Sequence, residues 1–88
     1  MNRQNRIAAA LRDGLAPSAL EVIDESHQHA GHAGARPGGE THYRVHVISE
    51  AFTGKSRVDR HRMVNALLKP EFAGGLHALA IHAKATGE

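Results

Sequence analysis

A chain of 88 residues with a formal charge of +2 has room for one modest core, and so little charge permits a nucleic-acid partner without demanding one. It has no cysteine, which excludes disulfides and thiolate metal sites, and its 3% aromatic content leaves the core to aliphatic side chains. No stretch approaches the roughly 20 apolar residues of a membrane span, and residues 7–11 are too short an apolar run for a signal peptide, so a cytoplasmic protein is expected.

Residues 2–15 read as an amphipathic helix. Ile7, Leu11 and Leu15 recur every four positions with Ala8 beside them, while Arg3, Arg6, Arg12 and Asp13 take other directions. Gly14 and Pro17 supply its stop. Residues 19–25 suit a short strand with Leu20 and Val22 on its buried face. Residues 26–40 have no apolar period and contain four glycines and Pro37, so a mobile loop is expected there. Loops of that length inside small domains are uncommon and often functional.

Strict alternation returns over residues 41–49. Tyr43, Val45 and Val47 form one face, and His42, Arg44 and His46 the opposite, solvent-directed one. An antiparallel pair with the first strand follows naturally. After a turn at Gly54, Ser56 caps a second helix, with Asp59 at capping-box spacing and Val58, Val64, Leu67 and Leu68 as its apolar positions. Pro70 ends that helix and begins a short helical turn over residues 71–73, closed by Gly74-Gly75. A last strand over residues 77–84 turns Leu79 and Ile81 to the core. The order αββααβ, with a right-handed crossover returning the last strand parallel to the second, predicts an α+β fold. In it, helices pack on a small mixed three-stranded sheet within one domain spanning residues 1–88.

Eight histidines are the strongest compositional signal, and five of them (His27, His29, His32, His42 and His46) fall within twenty positions. Neutral imidazole ligates transition metals and titrates near physiological pH, so either property could account for the enrichment. His42 and His46 are too far apart along a strand to chelate one ion, and His82, like them, is expected to face solvent. His61, beside the apolar positions of the second helix, is expected to be a packed residue satisfied by one hydrogen bond. The spacing His27-x-His29-x-x-His32 could bring two imidazoles to one metal, but a flexible backbone disfavours a preformed site. His77 stands at the start of the last strand, rigid and at a sheet end. A rigid and a mobile imidazole together make a half-site that a partner would have to complete.

Gly54-Lys55-Ser56 imitates the end of a phosphate-binding loop, but the required earlier glycine is Ser49, so that motif is rejected. Lys55, Ser56, Arg57, Arg60 and Arg62 crowd the first turns of the second helix, where cations oppose the helix dipole. They form either a solvated basic face or a focus for an anion, such as a phosphate or a partner's carboxylate. No nucleophile–base or carboxylate pair suggests an enzyme.

Four runs resemble the BolA-like family along almost the whole chain: Asp24-Glu25-Ser26, Gly39-Glu40-Thr41-His42-Tyr43, Phe52 through Arg62, and Leu76-His77-Ala78-Leu79-Ala80-Ile81. The resemblance implies a fold like class II KH domains and a non-enzymatic partnership with a monothiol glutaredoxin, sharing a [2Fe–2S] cluster in iron–sulfur trafficking or iron regulation. In the family, the histidine of the last-strand motif, here His77, and a histidine or cysteine of the long loop ligate the cluster. With no cysteine here, His29 is the best match for the second ligand, and His32 and His27 are alternatives. The glutaredoxin would add its cysteine and a bound glutathione thiol. The isolated chain is expected to be a monomer that holds no cluster tightly. The family's association with transcriptional control and stress response makes DNA binding through the basic helix start the alternative, although the Gly-x-x-Gly loop of true KH modules is absent.

Overall fold

In the computed structural model, residues 2–26 and 41–88 are described, and His27, His29 and His32 lie outside them. The first helix, α1 (Arg3–Leu15), begins at Asn2, whose side chain accepts a hydrogen bond from the Asn5 amide at 2.9 Å. Its four-residue period buries Ile7, Leu11 and Leu15 as expected. Its end differs from expectation. Ala16, in the left-handed region at φ 44°, closes the helix by donating its amide to the Arg12 carbonyl. Gly14 lies inside α1, where a Cβ would stand 2.5 Å from a Leu67 methyl, so the missing side chain permits close approach to the second helix.

Arg3 is also corrected. Placed among the outward residues from its spacing, it is buried, and its guanidinium donates to Glu71 and, at 2.8 Å, to the Gly74 carbonyl. Arg6 reaches the same carboxylate at 3.1 Å. The Arg6 hydrogen bond first, and Arg3 after it, hold Glu71 below the usual carboxylate range against the opposing effect of burial. This cluster fastens the start of α1 to a segment nearly seventy residues away.

The sheet contains β1 (Ala19–Asp24), β2 (His42–Ile48) and β3 (Ala78–Lys84) in the order β1-β2-β3. β2 is antiparallel to β1, with Val22 opposite Val45, and parallel to β3, with Val45 opposite Ile81. The alternating valines of β2 therefore lie at the centre of the core face. A short 3₁₀ turn, Glu50–Phe52, then sends Phe52 into full burial, a core anchor that local periodicity does not reveal.

Two helices connect β2 to β3: α2 (Arg57–Leu67) and α3 (Lys69–Ala73). Gly54 makes the preceding turn at φ 76°, and the Ser56 hydroxyl accepts the Asp59 amide at 3.1 Å, the expected cap. Val64 and Leu68 are fully buried, but Val58 is 57% exposed. An apolar residue in the first turn of α2 thus falls off the packed stripe. The resulting fold is the α+β, αββααβ arrangement expected, with helices on a mixed three-stranded sheet.

The two valines of α2 make a direct comparison. Val64→Ala removes buried methyls from a closed site and should cost about 2–3 kcal/mol. Val58→Ala should stay within about 0.5 kcal/mol of the parent, as surface substitutions usually do. Urea unfolding of both variants, read as midpoint shifts at unchanged slope, checks the assignment.

Candidate functional site

Three polar residues flanking residues 27–40 converge at one end of the sheet. Ser26, Thr41 and His42 are all buried. The Ser26 hydroxyl accepts the Thr41 amide at 2.9 Å and the His42 amide at 3.1 Å, and the Glu25 amide donates to the His42 carbonyl at 2.8 Å. These bonds satisfy backbone groups at the strand ends, so the two flanks of residues 27–40 are clamped side by side.

His42 corrects the sequence-based expectation. Its strand parity does place it on the face opposite Tyr43, Val45 and Val47, yet it is only 6% exposed. Its Nδ1 lies 2.8 Å from the Thr41 hydroxyl. Parity fixes which face a side chain takes, but not that the Thr41 hydroxyl bonds this ring or that the His77 ring packs beside it.

His77 stands against this clamp. Its amide donates to the Thr41 carbonyl at 2.8 Å, and the Ala78 amide shares that acceptor at 3.1 Å. Its backbone is thereby pinned, while its side chain is exposed. The His77 and His42 rings lie 5.2 Å apart at 57°, a tilted contact in which the buried imidazole supports the exposed one. The position lies at a sheet end, as expected, although the strand itself begins one residue later, at Ala78. Among the described residues no three metal-ligating side chains stand together, so His77 belongs to no such group.

The basic group occupies a different place. Lys55, Arg57, Arg60, His61, His82 and Lys84 line a groove of about 600 Å³ between the start of α2 and β3. His61 is half-buried in its wall rather than packed beneath the helix. Arg60 belongs to the groove but is already engaged: it forks onto the Glu88 carboxylate and also donates to the Lys55 and Ala83 carbonyls. Arg62 is exposed and leans toward Asp59 at 3.7 Å, and Ser56 spends its hydroxyl on the helix cap. Of the five residues expected to form one anion surface, Lys55 and Arg57 remain exposed and without an ion pair among the described residues, and β3 adds Lys84.

Sequence and structure comparisons agree on kinship. The profile of the BolA-like protein family matches residues 11–88. An uncharacterised protein from the cobS 5′ region of Sinorhizobium sp is 52% identical over the whole chain and 96% of its own length. SufE-like protein 1, chloroplastic/mitochondrial, from Arabidopsis thaliana is 48% identical over 99% of this chain, which spans only 24% of that longer protein. The solved BolA domain of SufE1 from Arabidopsis thaliana superposes with a TM-score of 0.88 at 48% identity, covering 98% of this chain and 94% of that domain. The chain belongs to the BolA-like family.

The Arg60–Glu88 pair has a measurable signature. The Arg60 hydrogen bond, aided by the Ala85 amide, pulls the Glu88 carboxyl down from 4.5 to about 2. Because the folded value is depressed, the pair's stabilisation is present above the ordinary carboxylate value and fades as pH falls toward 2. An NMR titration of the Glu88 side chain should give an apparent value of about 2 in the parent. In Arg60→Met it should return toward 4.5.

Proposed function

We propose that this chain is a non-enzymatic partner of a monothiol glutaredoxin, sharing a [2Fe–2S] cluster in iron–sulfur trafficking or iron regulation. The observation that supports it most is the junction at Thr41. This residue accepts a hydrogen bond from His77 and donates one to Ser26, so the exposed imidazole stands where the histidine-bearing segment leaves and rejoins the sheet.

The donor chemistry fits. The His77 ring is exposed, makes no hydrogen bond among the described residues, and can offer a nitrogen to iron. His42 is buried and hydrogen-bonded, so it serves as a support for that ring rather than as a second donor. The family resemblance assigns the second ligand to His29, with His32 and His27 as alternatives. The glutaredoxin cysteine and glutathione supply the thiolates this chain lacks. When bound, a cluster with two imidazoles carries less negative charge than an all-thiolate one, which raises its reduction potential. The chain alone has too few donors to hold the cluster tightly, and it would act as a monomer in a reducing, glutathione-containing compartment such as the cytoplasm.

A second function is favoured by the groove beside α2. Lys55, Arg57 and Lys84 around a concave surface suit DNA phosphates, and such binding would be electrostatic and strongly salt-dependent. With only a few cations it would be weak at physiological salt.

Co-purification with a monothiol glutaredoxin, followed by visible absorption and circular dichroism of the complex, tests the cluster. His77→Ala should abolish the imidazole-ligated spectrum while the isolated chain keeps its fold, and His29→Ala should weaken it. An unchanged cluster spectrum in His77→Ala would refute the assignment. Changing Lys55 and Arg57 to Glu should remove DNA affinity without altering the cluster spectrum. Salt-insensitive, sequence-specific DNA binding would instead favour the transcriptional role.

A further inference from the structure

We propose that Glu21, His46 and His82 form a second binding site, for a borderline divalent transition-metal ion such as zinc, nickel or copper, on the sheet face turned away from the core. The three residues make a row across the sheet. Glu21 is the register partner of His46 on β1, and His46 is the register partner of His82 on β3. All three are exposed. Adjacent strands lie about 4.8 Å apart, so side chains of one row project from neighbouring points of a rigid backbone.

The two imidazoles are already together, stacked with centroids 4.4 Å apart and planes within 7° of parallel. Metal–imidazole bonds are about 2.0–2.1 Å long, so tilting the two rings toward a common point brings their nitrogens to ligating separation without backbone movement. As the side chains stand, no three such groups among the described residues converge, and Glu21 has to turn inward to join. A carboxylate on an exposed strand has the rotamer freedom to do so.

The protonation state suits coordination. Arg44 Nη1 lies 2.8 Å from His82 Nε2, and a guanidinium only donates, so that nitrogen carries a lone pair. Burial first, and then His46, Arg44 and Arg57, hold His82 below the ordinary histidine value, with Glu25 acting in the opposite direction. The charged groups acting on His82 are Arg44 on β2, Arg57 on α2 and Glu25 just beyond β1, while Lys84 lines the same groove and Glu21 shares the row. The cations oppose an incoming metal, but Arg44 has an alternative partner in Glu25 at 3.0 Å when the metal displaces it from His82.

This row is distinct from the candidate cluster ligand. His82 is five residues beyond His77 along β3, about 17 Å at strand rise. It is also independent of the glutaredoxin partnership, because it needs no second protein.

Zinc chloride titrated into tag-free protein by calorimetry provides the test, in a background where His27, His29 and His32 are Asn. That background should retain one zinc site. Adding His82→Asn or His46→Asn should each lower its affinity about tenfold or more, the scale of loss expected when a ligand shell is breached. Zinc should also shift the ring resonances of His46 and His82 ahead of those of His77. No zinc binding in the background, or binding unaffected by both substitutions, would overturn the proposal. Because all three positions are exposed, circular dichroism should show the fold unchanged.

Discussion

Thr41 is the knot on which the rest of the site depends. Its carbonyl accepts from both His77 and Ala78, its amide donates to the Ser26 hydroxyl, and its own hydroxyl contacts His42. Three distant parts of the chain are thereby fixed at a single residue that is itself only 1% exposed. Buried backbone groups left without partners are costly, so these bonds strongly favour one arrangement. They also fix the backbone beneath the exposed His77 imidazole, whose ring makes no hydrogen bond among the described residues.

Much of the fold was legible because its signals are local. The four-residue spacing of Ile7, Leu11 and Leu15 and the alternation of Tyr43, Val45 and Val47 each report one face of one element. The cap at Ser56 requires only the amide three residues on. What escaped was contact at long range. Arg3 is buried because Glu71 and Gly74 come back to meet it, whereas Val58 is 57% exposed although Arg60, two residues on, reaches the Ala83 carbonyl of β3. Gly14 looked like a helix stop, but its neighbour across the interface is Leu67, which no local pattern could supply.

The candidate site shows the same division. His77 could be singled out by its position before a strand, and the structure gives that position a pinned backbone. His42 could not be separated from His46 by parity, since both share one face. Their environments differ because β2 begins under the Ser26–Thr41 clamp and continues into solvent. Likewise, counting cations near the start of α2 overstates the charge on offer. Arg60 is neutralised by Glu88, twenty-eight residues later, while Lys84 enters the groove from another element. A charge run is a property of sequence; an anion surface is a property of what remains after ion pairing.

The eight histidines therefore do not constitute a single feature. His42 is interior support, His77 an exposed ring on a hydrogen-bonded backbone, and His61 a groove wall, while His46 and His82 are stacked across two strands. Parallel pairing of β2 and β3 is what separates these roles. It puts His42 beside Ala78 at one end and His46 beside His82 farther along, so each imidazole meets a different neighbour at a set distance from the sheet end. A one-residue slip in that register would move His82 to the core face and carry Ile81 into solvent. Burial of Val45 and Val47 opposes such a slip, because both valines pack against β3 residues of matching parity. The apolar core thus sets the spacing of the polar chemistry, although no core side chain takes part in it.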